Sequence, residues 1–267
     1  MRVPLTEVGR RGRLDLTFVL QNGQTVLRHA YCEIPFKITR VLKAWGDRMA
    51  AHLILMHCTA GLFGGDDVEC SIRVERGAQV IVTQQSATKI HPSEGPPAIQ
   101  RHNVFVKAGA ELQLYFEPII PFAGSALRQT TQIDVEPGAR LAFWEGLMAG
   151  RVARGERWRF RELASETHLL SNNTSVYLDR FLLPNGLEDS ACAMGDCSYL
   201  GTGLYVGEQA CSLVTTLHPA LPEAGIDTLA ADVAIVRVVS TTGPDYHRCT
   251  EIFREHAAKN IQTTHAR

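Results

Sequence analysis

Three acidic residues stand where a carboxylate could do chemistry. Asp66 closes the glycine-rich run Gly61-Leu62-Phe63-Gly64-Gly65-Asp66-Asp67. Glu145 is the only charged residue between Leu141 and Gly150, inside Phe143-Trp144-Glu145-Gly146-Leu147-Met148-Ala149. Asp179 falls in the strand-like run Tyr177-Leu178-Asp179-Arg180-Phe181. A carboxylate in so apolar a segment as that of Glu145 is costly unless paired or hydrated, and Arg151 is a candidate partner. Two of the three, brought together, could do acid/base work, but the sequence does not bring them together.

The remaining templates exclude more than they offer. The run 61–67 follows an apolar stretch, as a phosphate loop would, but it lacks Gly-Lys-Ser/Thr and leads into the alternating strand Val68-Glu69-Cys70-Ser71-Ile72-Arg73-Val74, not a helix. It reads either as a tight turn requiring positive φ or as backbone placed close to something, with Asp66 as a directed carboxylate. There is no GxSxG elbow, no HExxH and no H-x-H pair, and the ten histidines are scattered. Of the seven cysteines, Cys192 and Cys197 lie nearest each other, without a second pair at zinc spacing. An odd count without close pairing points to reduced thiols and a cytosolic address. Arg157, Arg159 and Arg161 alternate with Trp158 and Phe160, the pattern of a strand with one basic face.

Strands must position most of these residues. Asn22-Gly23 between two β-rich runs is a hairpin signal, because a type I′ turn needs positive φ at both central residues. A second Asn-Gly, Asn185-Gly186, follows residues 177–183. Between them a motif recurs three times: an alternating strand, a two-residue turn, Gly-Ala and another strand, centred on Gly77, Gly109 and Gly138. The glycines are 32 and 29 residues apart, a spacing of stacked supersecondary units. A pile of hairpin or arch layers and an ordinary β-sandwich both fit it. Along the run Thr83-Gln84-Gln85-Ser86-Ala87-Thr88-Lys89-Ile90-His91, a strand that begins apolar at Val80 turns polar, as a strand does on entering a cavity or leaving a sheet edge. Helical spacing appears over residues 244–256, capped at Thr242 or Gly243, with a second candidate helix around 219–232 and a buried strand over 233–239.

Composition limits the partners. Of 267 residues, 27 are Lys or Arg and 28 Asp or Glu, giving a formal charge of −1 with neutral histidines. Such a chain has no global field for nucleic acid. No apolar run is long enough to span a membrane, and the Arg-rich N-terminal segment lacks the apolar core of a secretory signal.

Taken in order, the motifs resemble the urease accessory protein family UreD, also called UreH. The family pattern is a loop ending Gly-Gly-Asp, a strand with Gly-Ala, a Thr-x-x-x-Ala-(Thr/Ser)-Lys run, an apolar segment with Phe after Pro, and Gly-Arg-x-x-x-Gly-Glu. The chain supplies Gly64-Gly65-Asp66, Gly77-Ala78, Thr83 with Ala87-Thr88-Lys89, Pro121-Phe122, Gly150-Arg151 and Gly155-Glu156. The likeness is close over residues 14–185 and looser beyond. The loop carries Leu62-Phe63 where many members have smaller residues, and Lys89 is followed by Ile90-His91 where an aromatic-Arg pair is usual.

The resemblance implies a mainly β fold of stacked strand layers, a β-helix-like body with a few helices, mostly C-terminal. It implies one UreD-like domain over 1–267, with a β body at about 10–215 and a helix-containing part at about 216–262. It implies a non-enzymatic urease maturation factor in the cytoplasm, acting as a scaffold with UreF, the nickel-carrying GTPase UreG and apo-urease. No catalytic residue, nucleic acid, membrane or tightly bound cofactor is expected. Nickel is in transit through an internal hydrated passage, near which the family places polar or acidic residues at the positions of Asp66, Thr88, Glu145 and Asp179. No tight metal site is expected, because a passage needs weak, replaceable oxygen ligands, and acidic groups along a hydrated bore lower the cost of moving a cation through a low-dielectric body. The alternative from another class is a carbohydrate-active β-helix enzyme. It requires Asp66 or Asp67 and Glu145 or Glu156 to face one open cleft at roughly 5–10 Å separation.

Overall fold

A computed structural model describes residues 9–43, 50–186 and 195–262. The chain runs through β1 (Arg11–Gln21), β2 (Gln24–Cys32), β3 (Phe36–Ile38), β4 (Leu42–Lys43), β5 (Ala51–His57), β6 (Asp67–Val74) and β7 (Gln79–Gln84). It continues through β8 (Thr88–Ile90), β9 (Ala98–Val106), β10 (Glu111–Tyr115), β11 (Ile119–Pro121), β12 (Ala126–Val135), β13 (Arg140–Met148), β14 (Glu162–Ser171) and β15 (Thr174–Pro184). Last come β16 (Tyr199–Val206), α1 (Ala210–Ala220), β17 (Gly225–Ala230), β18 (Val233–Ser240) and α2 (Gly243–Gln262).

Two sheets stack face to face. The first has the order β15-β14-β12-β9-β6-β1-β2, and the second β17-β18-β16-β13-β10-β7-β5-β3. In the first, β1, β6, β9, β12 and β14 are parallel, with β2 and β15 closing the sides antiparallel. In the second, β5, β7, β10 and β13 are parallel, and β16, β18 and β17 extend them antiparallel. The repeat therefore builds a β-solenoid, not a sandwich of hairpins. At each Gly-Ala the chain leaves a strand of the first sheet and enters one of the second.

The turn chemistry explains the repeat. Gly77, Gly109 and Gly138 have φ of +72°, +70° and +73°. Each is the third residue of a turn closed by Ala78 N–H to Glu75 O, Ala110 N–H to Lys107 O and Ala139 N–H to Glu136 O. A turn of this type needs positive φ at its third position, and Pro137 occupies the second position of the last, where proline is favoured. The turns stack, because Glu111 N–H binds Ala78 O and Arg140 N–H binds Ala110 O. Between the sheets the apolar rows are continuous. Ile72, Val104, Ile133 and Leu169 lie side by side on one face, and Val80, Leu112, Leu141 and Val206 lie on the facing sheet, all buried.

The other face of the second sheet is covered by α1 and α2. Trp144, Tyr205, Leu213, Leu217, Tyr246 and Phe253 form this second core. Helix α2 extends over the expected segment, and the Thr242 hydroxyl accepts the Asp245 N–H at its start. The expected helix at 219–232 is displaced. Residues 210–220 form α1, across the boundary expected at about 215, and Gly225–Ala230 is a strand paired with β18. Leu213 and Leu217 carry the buried stripe of α1, and Pro219 sits in its last turn. Asn185-Gly186 is a turn at the end of β15, with Gly186 at φ +90°. The partner of β15 is β14, joined through Asn172-Asn173 at φ +51° and +58°, a type I′ geometry that a second asparagine satisfies without glycine. Residues 187–194, which follow Asn185-Gly186 and include Cys192, lie outside the described residues. Among the described residues no helix is long and apolar enough to cross a membrane.

Candidate functional site

Strand alternation sends every second side chain between the sheets, so rows of neighbours share a face. At one end of the interior these rows turn polar. In the first sheet Gln100, Gln129 and Ser165 form one row, and His102, Thr131, Thr167 and Asp179 the next. In the second sheet Glu145, Thr202 and Arg237 are register neighbours on the facing side. Gln84 belongs to the same region, its amide donating to Thr88 Oγ1 at 2.9 Å and its carbonyl accepting the Glu117 N–H at 3.2 Å. Of the polar stretch 83–91, Gln84 and Thr88 line a cavity, while Gln85, Ser86 and Lys89 are exposed.

Glu145 is the centre of this region. Thr167 Oγ1 donates to its Oε1 at 2.6 Å and Gln129 Nε2 to its Oε2 at 3.2 Å. Two cavities meet at it. The larger, about 130 Å³, has apolar walls that include Leu127, Leu163 and Phe181, and polar lining from Glu145, Asp179 and Arg237. The smaller, about 10 Å³, is lined by Gln84, Thr88, Gln100, His102, Glu117 and Glu145 among others. That is room for about one water molecule. Arg237 pairs with Asp179 at 2.8 Å and donates to Tyr177 Oη at 2.8 Å, tying the second sheet to the edge of the first beside the larger cavity.

Burial sets the titration. It raises the Glu145 carboxyl to about 7, with the Thr167 hydrogen bond and Arg237 pulling down and the Asp179 charge pushing up. Burial also pushes the His102 imidazole down to about 3, so that it is neutral at any ordinary pH. His102 stacks on Phe116 with ring centroids 4.4 Å apart. The side-chain oxygens of Gln100 and Gln129 have no protein partner.

The sequence-derived residues separate into two groups. Thr88, Glu145 and Asp179 line these cavities, Asp179 the larger, Thr88 the smaller and Glu145 both. Asp66 lines neither. Its oxygens accept the backbone N–H groups of Arg10 at 2.8 Å and Phe63 at 2.9 Å, holding the glycine-rich loop to β1. Gly64 is packed so closely on Ser93 that a Cβ would collide, and Gly65 N–H binds Pro97 O. Thr83 bonds His52 at 3.0 Å, Ala87 is half-buried and Lys89 is exposed. Arg151 does not partner Glu145. It makes a two-pronged pair with Glu156, whose Oε2 also accepts the Ala123 N–H, and its guanidinium lies 4.0 Å from the Phe122 ring. Gly150 lies against Glu156 O, and Gly155, at φ +73°, ends the 3-10 turn at 152–154. These motif residues lock loops together at a corner of the solenoid. There Phe63 stacks on His91 at 4.2 Å and His91 meets Phe122 edge-on.

Residues 157–161 are not a strand. Trp158 and Phe160 are buried, while Arg157 and Arg161 donate to the backbone carbonyls of Cys197 and Gly95. The carboxylates considered for a carbohydrate-active cleft are each engaged by other groups. Asp66 caps backbone, Asp67 pairs with Arg101, Glu145 is between the sheets and Glu156 is held by Arg151. Among the described residues, no group of three or more His, Cys, Asp or Glu is placed to hold a metal ion.

Asp66 gives a first prediction. Asp66→Ala is expected to lower stability by about 1–3 kcal/mol, because it leaves two backbone donors without their acceptor. Asp66→Asn keeps one acceptor oxygen and is expected to lose less. Urea denaturation of both variants checks this, and an Ala variant as stable as the parent chain would refute the capping role.

A profile of the family described as "UreD urease accessory protein" matches residues 10–266. A urease accessory protein UreD of Deinococcus radiodurans is 31% identical over 257 residues, 94% of this chain and 91% of that one. A UreD of Trichodesmium erythraeum is 37% identical over 158 residues, covering 58% of this chain and 57% of its own. A protein named UreD 2 of Streptomyces griseus is 32% identical over 226 residues, 80% of this chain and 76% of its own.

Proposed function

Since the chain belongs to the UreD urease accessory protein family, we propose that within urease maturation it is the scaffold of a complex with UreF and UreG. That complex delivers nickel to apo-urease, and the ion travels through the polar interior between the two sheets. The observation that carries the reading is Glu145, an acidic side chain at the joint of two cavities in the polar end of the solenoid interior.

The chemistry suits a cargo in transit. A carboxyl that titrates near neutrality can release its proton as a cation arrives and take it back as the cation leaves. Thr88, Gln129, Thr167 and Asp179 add oxygen groups around it. Oxygen ligands hold nickel less firmly than imidazole or thiolate, so each station is replaceable. Asp66 serves this role indirectly, by fixing the loop that precedes β6.

The test is deletion of this gene in a host with an otherwise intact urease operon, with urease activity and nickel content measured. Nickel-poor, inactive urease is expected, together with recovery of the chain bound to UreF and apo-urease on affinity purification from the parent strain. Unchanged activity would overturn the reading.

A further inference from the structure

A histidine on a nickel route is a liability, because a neutral imidazole is among the better ligands a protein can offer that ion. His102 lines the smaller cavity together with Glu145. Both of its nitrogens are occupied. Nδ1 is 3.2 Å from Thr131 Oγ1, and Nε2 is 2.9 Å from Nε2 of Gln100. The second contact joins two nitrogens. With the amide nitrogen turned to the ring, as the structure orients it, Gln100 donates there, and the imidazole accepts at Nε2 and carries its proton on Nδ1. The electron pair that would bind a metal is the one that Gln100 covers.

The cover is built locally. Gln100 and His102 are two residues apart on β9 and share its inward face, both nearly fully buried. Phe116 against the imidazole ring fixes its orientation. With Nε2 engaged, a passing cation meets the oxygen-bearing side chains of the lining, among them Glu145, Glu117 and Thr88.

We propose that Gln100 is a masking residue: its amide holds the Nε2 electron pair of His102 and so keeps the nickel route from becoming a nickel trap. The proposal rests on the passage reading above. Gln100 is a positioning residue that acts on the cargo through His102.

The experiment titrates the full chain with Ni²⁺ alone, by equilibrium dialysis and calorimetry. The parent chain is expected to bind weakly. Gln100→Leu, similar in volume but without a donor, is expected to gain one site per chain at least about tenfold tighter, the size of effect that partners of metal-binding histidines exert. The gain is expected to vanish in Gln100→Leu/His102→Phe, which keeps a ring against Phe116. Gln100→Ala adds no bulk and must show the same gain, which keeps the proposal testable if the leucine variant does not fold. Folded variants that bind Ni²⁺ no tighter than the parent, or a gain that survives loss of the imidazole, overturn it. The two readings fail separately. Normal urease maturation with Glu145→Gln removes the passage itself. Blocked maturation with Glu145→Gln, combined with no gained site in the Gln100 variants, removes only the mask.

Discussion

Glu145→Gln is expected to make the protein more stable at pH 8 and no more stable at pH 5, while sharply reducing urease maturation. The Glu145 carboxyl titrates near 7 in the folded chain, against an ordinary value of 4.5. The folded state therefore holds the proton more tightly than the unfolded one. Stability from the protonated form is fully present below about pH 4.5 and is lost as pH rises through 7. Above that pH the buried charge costs at most about 3 kcal/mol, at 1.36 kcal/mol per unit of pKa. A glutamine has no charge to bury. Its amide oxygen can still accept from Thr167, and a rotated Gln129 amide can offer its unpartnered oxygen to the new NH₂ group. Melting curves from pH 5 to pH 8 should show the two proteins diverging as pH rises. Parallel curves would mean that the carboxylate is fully hydrated. The loss of maturation follows because a permanently neutral group cannot exchange a proton for a cation. A variant more stable and less functional than its parent also separates a functional carboxylate from a structural one.

How much of this was legible in the sequence depended on how local each signal is. Gly77, Gly109 and Gly138 announce themselves because a turn with positive φ tolerates few other residues, and their spacing gives the solenoid repeat. Glu145 stands out because one charge in an apolar run needs a reason. Gln100, His102, Gln129, Thr131 and Thr167 carry no such mark. Each sits in the polar-apolar alternation of an ordinary half-buried strand, and only the register of neighbouring coils aligns them into two interior rows. Arg237 lies in a run that reads correctly as a strand, yet its partner Asp179 precedes it by all of β16, α1 and β17. Asp66 misleads in the other direction. Its place after two glycines suggests a group aimed at a ligand, whereas its oxygens satisfy the N–H groups of its own loop and of Arg10. Likewise Phe63 and His91, two departures from the family pattern, are separate oddities in sequence and a stacked pair in the structure.

Trp144→Ala is expected to be the most destabilising single change in the helical layer, at about 3–5 kcal/mol, a large share of the 5–15 kcal/mol that holds a typical domain folded. Trp144 is fully buried, its Nε1 donates to Tyr246 Oη at 2.9 Å, and its centroid is 5.2 Å from that of Phe253. Gly201 and Gly203 lie flat on the indole, where a Cβ would come within 2.7 and 2.9 Å of ring atoms. With backbone on one side and α2 on the other, little can move in to fill the space, so most of the cavity cost should remain. The consequence reaches the site because β13 carries Trp144 outward and Glu145 inward on adjacent residues. A looser strand lets Glu145 drift from Thr167 and Gln129. Urea unfolding of the purified chain measures the first effect, and urease maturation at two growth temperatures measures the second. Maturation by Trp144→Ala should recover at the lower temperature, where enough chain is folded, whereas maturation by Glu145→Gln should fail at both. Recovery of both variants on cooling would mean that Glu145 contributes only to folding, and failure of both would mean that the outer face of β13 has a role of its own in maturation.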